Sequence, residues 1–197
     1  MAKIKHTKNE LKAQREALAR FERFLPMLQL KKQQLQMEIQ RIAAAIVEVK
    51  REEDRINAEL GQWVRLFSEP VAIGELVTLA DISLDEGNIA GVSIPVLKEA
   101  QIRRSDCDLF TTPSWVDDAV EILESLIRLR VKREVLAEQR RLIREELLVT
   151  TQRVNLFEKV KIPESKENIR VIKIFLGEEQ TAAVVRGKLA KKLTQAA

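Results

Sequence analysis

Apolar residues recur at alternating intervals of three and four along the first third of the chain: Leu11, Leu18, Phe21, Leu25, Leu28, Leu35, Ile39, Ile42, Ile46, Val49, Ile56, Leu60, Trp63 and Phe67. On a strict seven-residue grid only Gln14, Lys32 and Glu53 break the seam. An undistorted α-helix turns every 3.6 residues, so a stripe held at 3.5 for about eight heptads slides off its partner unless the helix supercoils. The pattern predicts one long left-handed coiled-coil helix over residues 1–67.

A second stripe runs through Trp115, Ala119, Ile122, Leu126, Leu129, Leu136, Ile143, Leu147, Val154 and Phe157, with Arg133, Arg140 and Thr150 at the remaining seam positions. Ser114 is the expected N-cap, with Asp117 and Asp118 in the first turn where the helix dipole favours acids. Six glycines and five prolines in 197 residues leave few places to turn, and the absence of tyrosine with only 4% aromatic residues argues against a large three-dimensional core. Two long helices separated by a short middle segment cover each other's apolar stripes best when folded back as an antiparallel pair. The expected fold is all-α: a long antiparallel two-helix coiled coil, with a small hairpin or irregular segment in the middle, residues 68–114.

Pro163 falls inside the second helix, where a proline removes a backbone bond at a cost of roughly 3 kcal/mol. Beyond it the seam resumes at Ile169, Ile172 and Leu176, displaced by one position from the grid that ends at Phe157. In an antiparallel pair Pro26 of the first helix stands at a similar height, so both helices are expected to bend together there. At 1.5 Å per residue the first helix spans roughly 85 Å and the second, continued to about residue 193, roughly 115 Å. The C-terminal helix should overshoot its partner and carry its basic cluster on a single-helix tip.

In the middle segment, LVTLADI (76–82) and VSIPVL (92–97) are strand-like runs around SLDEGNIAG, which supplies the turn chemistry. A β-hairpin over about 76–97 is predicted, with Pro95 confining its strand to an edge or a bulge. Residues 98–112 read as an irregular return path. The hairpin either caps the open end of the coil or offers a surface to a partner.

The excess of 34 basic over 30 acidic residues sits at the ends. Lys3, Lys5 and Lys8 at the start and Arg186, Lys188, Lys191 and Lys192 at the end leave 27 basic against 30 acidic residues between them. Such ends are either solvated or enter an acidic or phosphate-bearing partner. The single Cys107, set between Asp106 and Asp108, excludes an internal disulfide and suits a reducing cytosol. No apolar run suggests a signal peptide or a membrane span. With one histidine, His6, and no phosphate-binding glycine loop, no catalytic residue, metal site or cofactor is expected. Basic residues are interleaved with acids along both helices, which argues against nucleic acid as the partner.

The stretch RVNLFEKVKIPESKENIRVIKIFL carries Arg153, Val154, Asn155, Phe157, Glu158, Val160, Ile162 and Pro163, followed by Ile169, Ile172 and Leu176. It resembles the C-terminal motif of the D-subunit family of V-type and archaeal-type rotary ATPases. Thr7, Lys8, Leu11 and the run at Met27, Leu28, Lys31, Lys32 and Leu35 resemble that family's N-terminal motif; Gly91, Val92 and Pro95 resemble its hairpin strand. Gln29, Gln33 and the run Arg23-Phe24-Leu25-Pro26 depart from it. The resemblance implies a non-catalytic, cytoplasmic central-stalk shaft that reaches the membrane only through its complex. Its implied partners are the catalytic and non-catalytic head subunits, the small F-subunit of the stalk and a rotor-base protein above the membrane ring. The implied head-facing residues are Lys31, Lys32, Arg153, Arg170, Lys173, Arg186, Lys188, Lys191 and Lys192, with Gly91, Val92 and Pro95 as the hairpin's partner surface. The alternatives are a coiled-coil adaptor or scaffold, or a coiled coil acting on membranes or nucleic acid.

Overall fold

The computed structural model describes residues 5–61, 76–105, 113 and 115–195. Helix α1 is Lys8–Gly61, strands β1 and β2 are Val77–Ile89 and Val92–Arg104, and helix α2 is Trp115–Leu156. A π-helical turn, Phe157–Lys161, joins α2 to helix α3, Ile162–Gln195. The expected coiled-coil fold with a two-stranded antiparallel sheet in the middle is what the chain adopts. Ser114, Cys107, Trp63 and Phe67 lie outside the described residues. The chain divides into two compact units: a hairpin unit, Gln33–Leu148, and a terminal unit, Met1–Lys32 with Val149–Ala197.

Thr7 starts α1 as a capping residue: its Oγ1 accepts from the Glu10 backbone N–H at 3.2 Å, and its carbonyl accepts from Leu11. The acid Glu10 then falls in the first turn, at the positive end of the helix dipole.

In the hairpin unit, Leu35 and Ile42 of α1 meet Ile143 of α2 and Ile94 of β2 in one buried cluster. Farther toward the end of α1, Glu53 Oε2 receives the Arg133 guanidinium at 2.5 Å, with the two side chains only 10% and 23% exposed. Position numbers rise along α1 as they fall along α2, which is the antiparallel arrangement. Two residues that interrupt the apolar seams in sequence therefore neutralise each other across it. The hairpin is joined by a two-residue turn with positive φ at Ala90 (52°) and Gly91 (82°), the geometry that matches strand twist. Gly91 N–H donates to Asn88 Oδ1 at 3.0 Å. Gly87 is required for a different reason: a Cβ there would stand 2.7 Å from Val96 Cγ2 on the facing strand.

Two expectations for this segment need correction. Residues 83–89, read as turn, continue β1, and residues 98–104, read as an irregular return, continue β2 to Arg104. The ladder persists because its far end is packed. Val77 and Ile102 join Trp115, Val116, Ala119 and Val120 at the start of α2 in a second apolar cluster. Offsets between Leu79 and Asp81 and between Ser83 and Leu84 absorb the irregularity.

The terminal unit is also an antiparallel pair. Lys166 Nζ lies 3.1 Å from Glu22, Asn168 donates to Gln14 at 3.4 Å, and the rings of Phe21 and Phe157 stand 5.1 Å apart. Pro26 and Pro163 each lie about one helical turn from the Glu22–Lys166 pair, so they share a level. The π turn accounts for both oddities of this region. Ile162 N–H donates to the carbonyl of Phe157, five residues back. One extra residue in the turn displaces everything beyond it by one position, so the buried side follows Thr150 and Val154 and then Ser165 and Ile172. Where five-back pairing returns to four-back pairing one carbonyl loses its donor in any case, and Pro163 places its missing N–H at that point.

Candidate protein-contact surfaces

The hairpin residues singled out in sequence divide between two roles. Gly91 is exposed at the tip, whereas Val92 and Pro95 are half-buried toward the helices. Val92 packs on the cluster around Ile94, and the Pro95 carbonyl accepts a 2.6 Å hydrogen bond from Gln139 Nε2 of α2. A proline has no N–H to give, but its carbonyl remains an acceptor, and a buried Gln139 uses it. The apolar residues that the hairpin leaves exposed are Leu79, Ile82, Leu84 and Val96. Beside Leu79 lies a groove of about 470 Å³, lined by Asn57, Leu123, Leu126, Ile127 and Val131 together with the charged Glu53 and Arg130.

The nine cations proposed from sequence do not form one cluster. Lys31 and Lys32 are half-buried on α1, while Arg153 is exposed on α2, at a level close to theirs. Arg170 is held by its own helix: Glu167 receives its Nη2 at 2.7 Å and its Nε at 2.9 Å. That hydrogen bond and the opposite charge hold the Glu167 carboxyl below its ordinary range and raise the guanidinium further. Lys173 is exposed one turn beyond. Arg186, Lys188, Lys191 and Lys192 stand farther along α3, where every residue from Gly177 to Gln195 is exposed. That stretch also exposes Val185, Leu189 and Leu193, the last at 73%.

Among the described residues no group of three or more His, Cys, Asp or Glu is placed to hold a metal ion, and no helix is long and apolar enough to cross a membrane. His6 instead sets its ring 4.7 Å from that of Phe175. These surfaces are suited to protein contacts.

Three features are not legible in the sequence alone. The Glu53–Arg133 pair is visible there only as two separate interruptions of the seams; the hydrophobic neighbours give that signal, and the pairing needs the register. Gln139 carries no signal, because a glutamine beside an arginine run looks solvated. The π turn is present as a phase shift of one residue, which by itself does not reveal an inserted one.

The family of ATP synthase D-subunits matches the chain over residues 10–192. The V-type ATP synthase D-subunit of Borreliella burgdorferi is 45% identical over 191 residues, covering 97% of this chain and 95% of that protein. Proteins of the same name from Chlamydia caviae and Chlamydia pneumoniae are 33% and 32% identical, covering 98% and 96% of this chain and 95% and 92% of theirs.

Proposed function

As the chain belongs to the D-subunit family of ATP synthases, we propose that it is the non-catalytic rotor shaft in the central stalk of a V-type or archaeal-type rotary ATPase. In this reading it couples ATP hydrolysis or synthesis in the head to rotation and to proton or sodium movement through a membrane ring. The observation that carries it is the far end of α3. From Gly177 to Gln195 a helix of 19 residues stands exposed, with bare valines and leucines and four cations. A solitary helix of that length is marginal in water, so it is built to be enclosed by something else. The head's catalytic and non-catalytic subunits are that enclosure, and Arg186, Lys188, Lys191 and Lys192 meet acidic groups lining it.

Pro26, Pro163 and the π turn bend the two helices together, since prolines and π turns are the usual causes of a helix kink. A bent shaft presents a different surface to each of three catalytic sites as it turns, and each site is biased only by contacts that differ between angles. Exposed ion pairs contribute about 0–1 kcal/mol each, which lets the shaft leave one angle for the next. The exposed apolar side of the hairpin, with Gly91 at its tip and the groove beside Leu79, takes the small F-subunit and the rotor base. The chain is cytoplasmic and peripheral, attached to the membrane through the complex.

The test is co-expression with the catalytic and non-catalytic head subunits and the F-subunit, purification through a tag on this chain, and measurement of ATPase turnover. A stoichiometric complex whose multi-site turnover depends on the chain, and falls when residues 181–197 are deleted, is the expected result. A chain that purifies alone as a stable dimer and leaves the head's turnover unchanged refutes the shaft and favours a scaffold.

A further inference from the structure

The coil of the terminal unit has two unlike sides. Its seam on α1 is Phe21, Leu25 and Leu28, and opposite it are Thr150 and Val154 of α2 and Phe157 of the π turn, flanked in an antiparallel pair by matching edge positions. Glu22 and Lys166, bonded across one edge, mark the first side. The edge itself continues with exposed Arg15 and Gln29 on α1 and Glu158 before α3, all polar. The opposite edge is different. Phe24 is 48% exposed, Met27 62%, Val149 36% and Leu156 44%. The tilted Phe21–Phe157 ring contact sets the level, and all four lie within about two turns of it. Arg20 and Arg153 stand among them, exposed, and no carboxylate among the described residues pairs with either. The same edge and its outer neighbour carry no acid from Ala17 to Lys31 or from Val149 to Leu156.

We infer that this side, with Phe24, Met27, Val149 and Leu156 as its apolar residues and Arg20 and Arg153 set among them, is a docking face for an apolar protein surface that carries carboxylates. A contiguous apolar patch on a water-soluble coil marks an interaction site. Its composition is that of a protein interface, in which aromatics, Met and Arg are enriched and acids depleted. A second copy is a poor occupant, because a two-fold contact would set the arginines of one copy against those of the other. A lipid surface is a poor one too. A helix lying in a membrane keeps its cations on the polar face, whereas here they stand among the apolar residues. The inference rests on the shaft reading in one respect: the partner is a head subunit, so one side of the shaft grips while the other slides.

The test uses the full chain and the purified head subcomplex, with affinity measured on an immobilised surface. Met27→Gln with Leu156→Gln should weaken binding by roughly ten-fold or more, and Arg153→Glu by a similar factor. Arg15→Ala with Gln29→Ala, on the polar side, should change it by less than about two-fold. All the substituted side chains are exposed, so melting followed by circular dichroism should be unchanged; Arg153→Glu decides the matter if the double variant melts early. Equal binding by every variant overturns the face while leaving the shaft intact. Failure of the wild-type chain to bind the head overturns both. A dimer, or binding to anionic vesicles, that disappears in the Met27→Gln, Leu156→Gln variant assigns the face to a second copy or to lipid and overturns the protein partner.

Discussion

The middle of α2 and the far end of α3 are built from the same residues, Leu, Val, Ile, Ala, Lys and Arg, yet they live in opposite surroundings. Ile143 of α2 is fully buried, between α1 and the hairpin. Leu189 of α3 is 56% exposed in a stretch where every neighbour is exposed too. Composition and helix propensity do not separate the two. The presence of a second element does, and it separates a stretch packed against other elements from one whose residues are all exposed.

The sharpest way to break this comparison is to remove apolar volume from each region. Ile143→Ala should cost about 2–4 kcal/mol in urea unfolding, through lost burial and the cavity left behind. Leu189→Ala should stay within about 0.5 kcal/mol in the isolated chain. Equal effects would mean that the far end of α3 is packed in solution.

A smaller effect is expected at the ion pair within the seam. Glu53→Gln leaves the largely buried Arg133 guanidinium with only the more distant, exposed Glu134 carboxylate at 3.9 Å and should destabilise by about 1–3 kcal/mol. Replacing both Glu53 and Arg133 by methionine should recover most of that loss, because buried apolar pairs of similar volume commonly match ionic ones. Failure to recover would show that the pair does more than fill a gap in the seam.

Pro163→Ala should change stability by less than about 1 kcal/mol, since the ring's missing donor lies where the π turn has already given up a bond. The substituted chain should keep its π turn, because the positions of Val154 and Ile172 require the extra residue whichever amino acid stands at 163. Nuclear Overhauser contacts across residues 157–162 check this. A turn that reverts to α-helix in the alanine variant would show that the proline, rather than the seam, sets it.

The smallest effect belongs to the exposed arginine clamps. Glu167 and Glu138 are held below the ordinary carboxylate range by hydrogen bonds from Arg170 and Arg141. A lowered carboxyl contributes stability that is present above the unfolded carboxylate range and is lost as pH falls through the folded value. Glu167→Gln should therefore lower the melting temperature slightly near neutral pH and leave it unchanged in strong acid, and added salt should shrink the difference. An effect that persists in acid would point to packing rather than charge.

Much of the architecture is readable from Leu11 onward. A 3.5-residue repeat has one economical solution, and two such repeats joined by a short segment have one economical pairing. The hairpin's existence is readable from Asn88, Gly91 and the flanking β-branched runs, but its length is not. Residues 98–104 look irregular in sequence and are strand because Ala100 and Ile102 find cover on the start of α2. Of the candidate contact residues, the cations can be named from sequence but not grouped, since their spacing along the chain says nothing of which face each occupies. Phe24, Met27 and Leu156 pass in sequence for ordinary helix residues, and only their exposure sets them apart.

The sequence by itself determined the periodicities, their directions, the one-residue phase shift after Phe157 and the family to which the chain belongs, because each is a pattern of residue types at fixed spacing. Tertiary structure decided which interruptions pair, which carbonyl Gln139 reaches, how the phase shift is absorbed and which side of the terminal coil is bare. Those outcomes depend on what stands opposite each residue, and a helix's partner lies a hundred or more positions away in the chain.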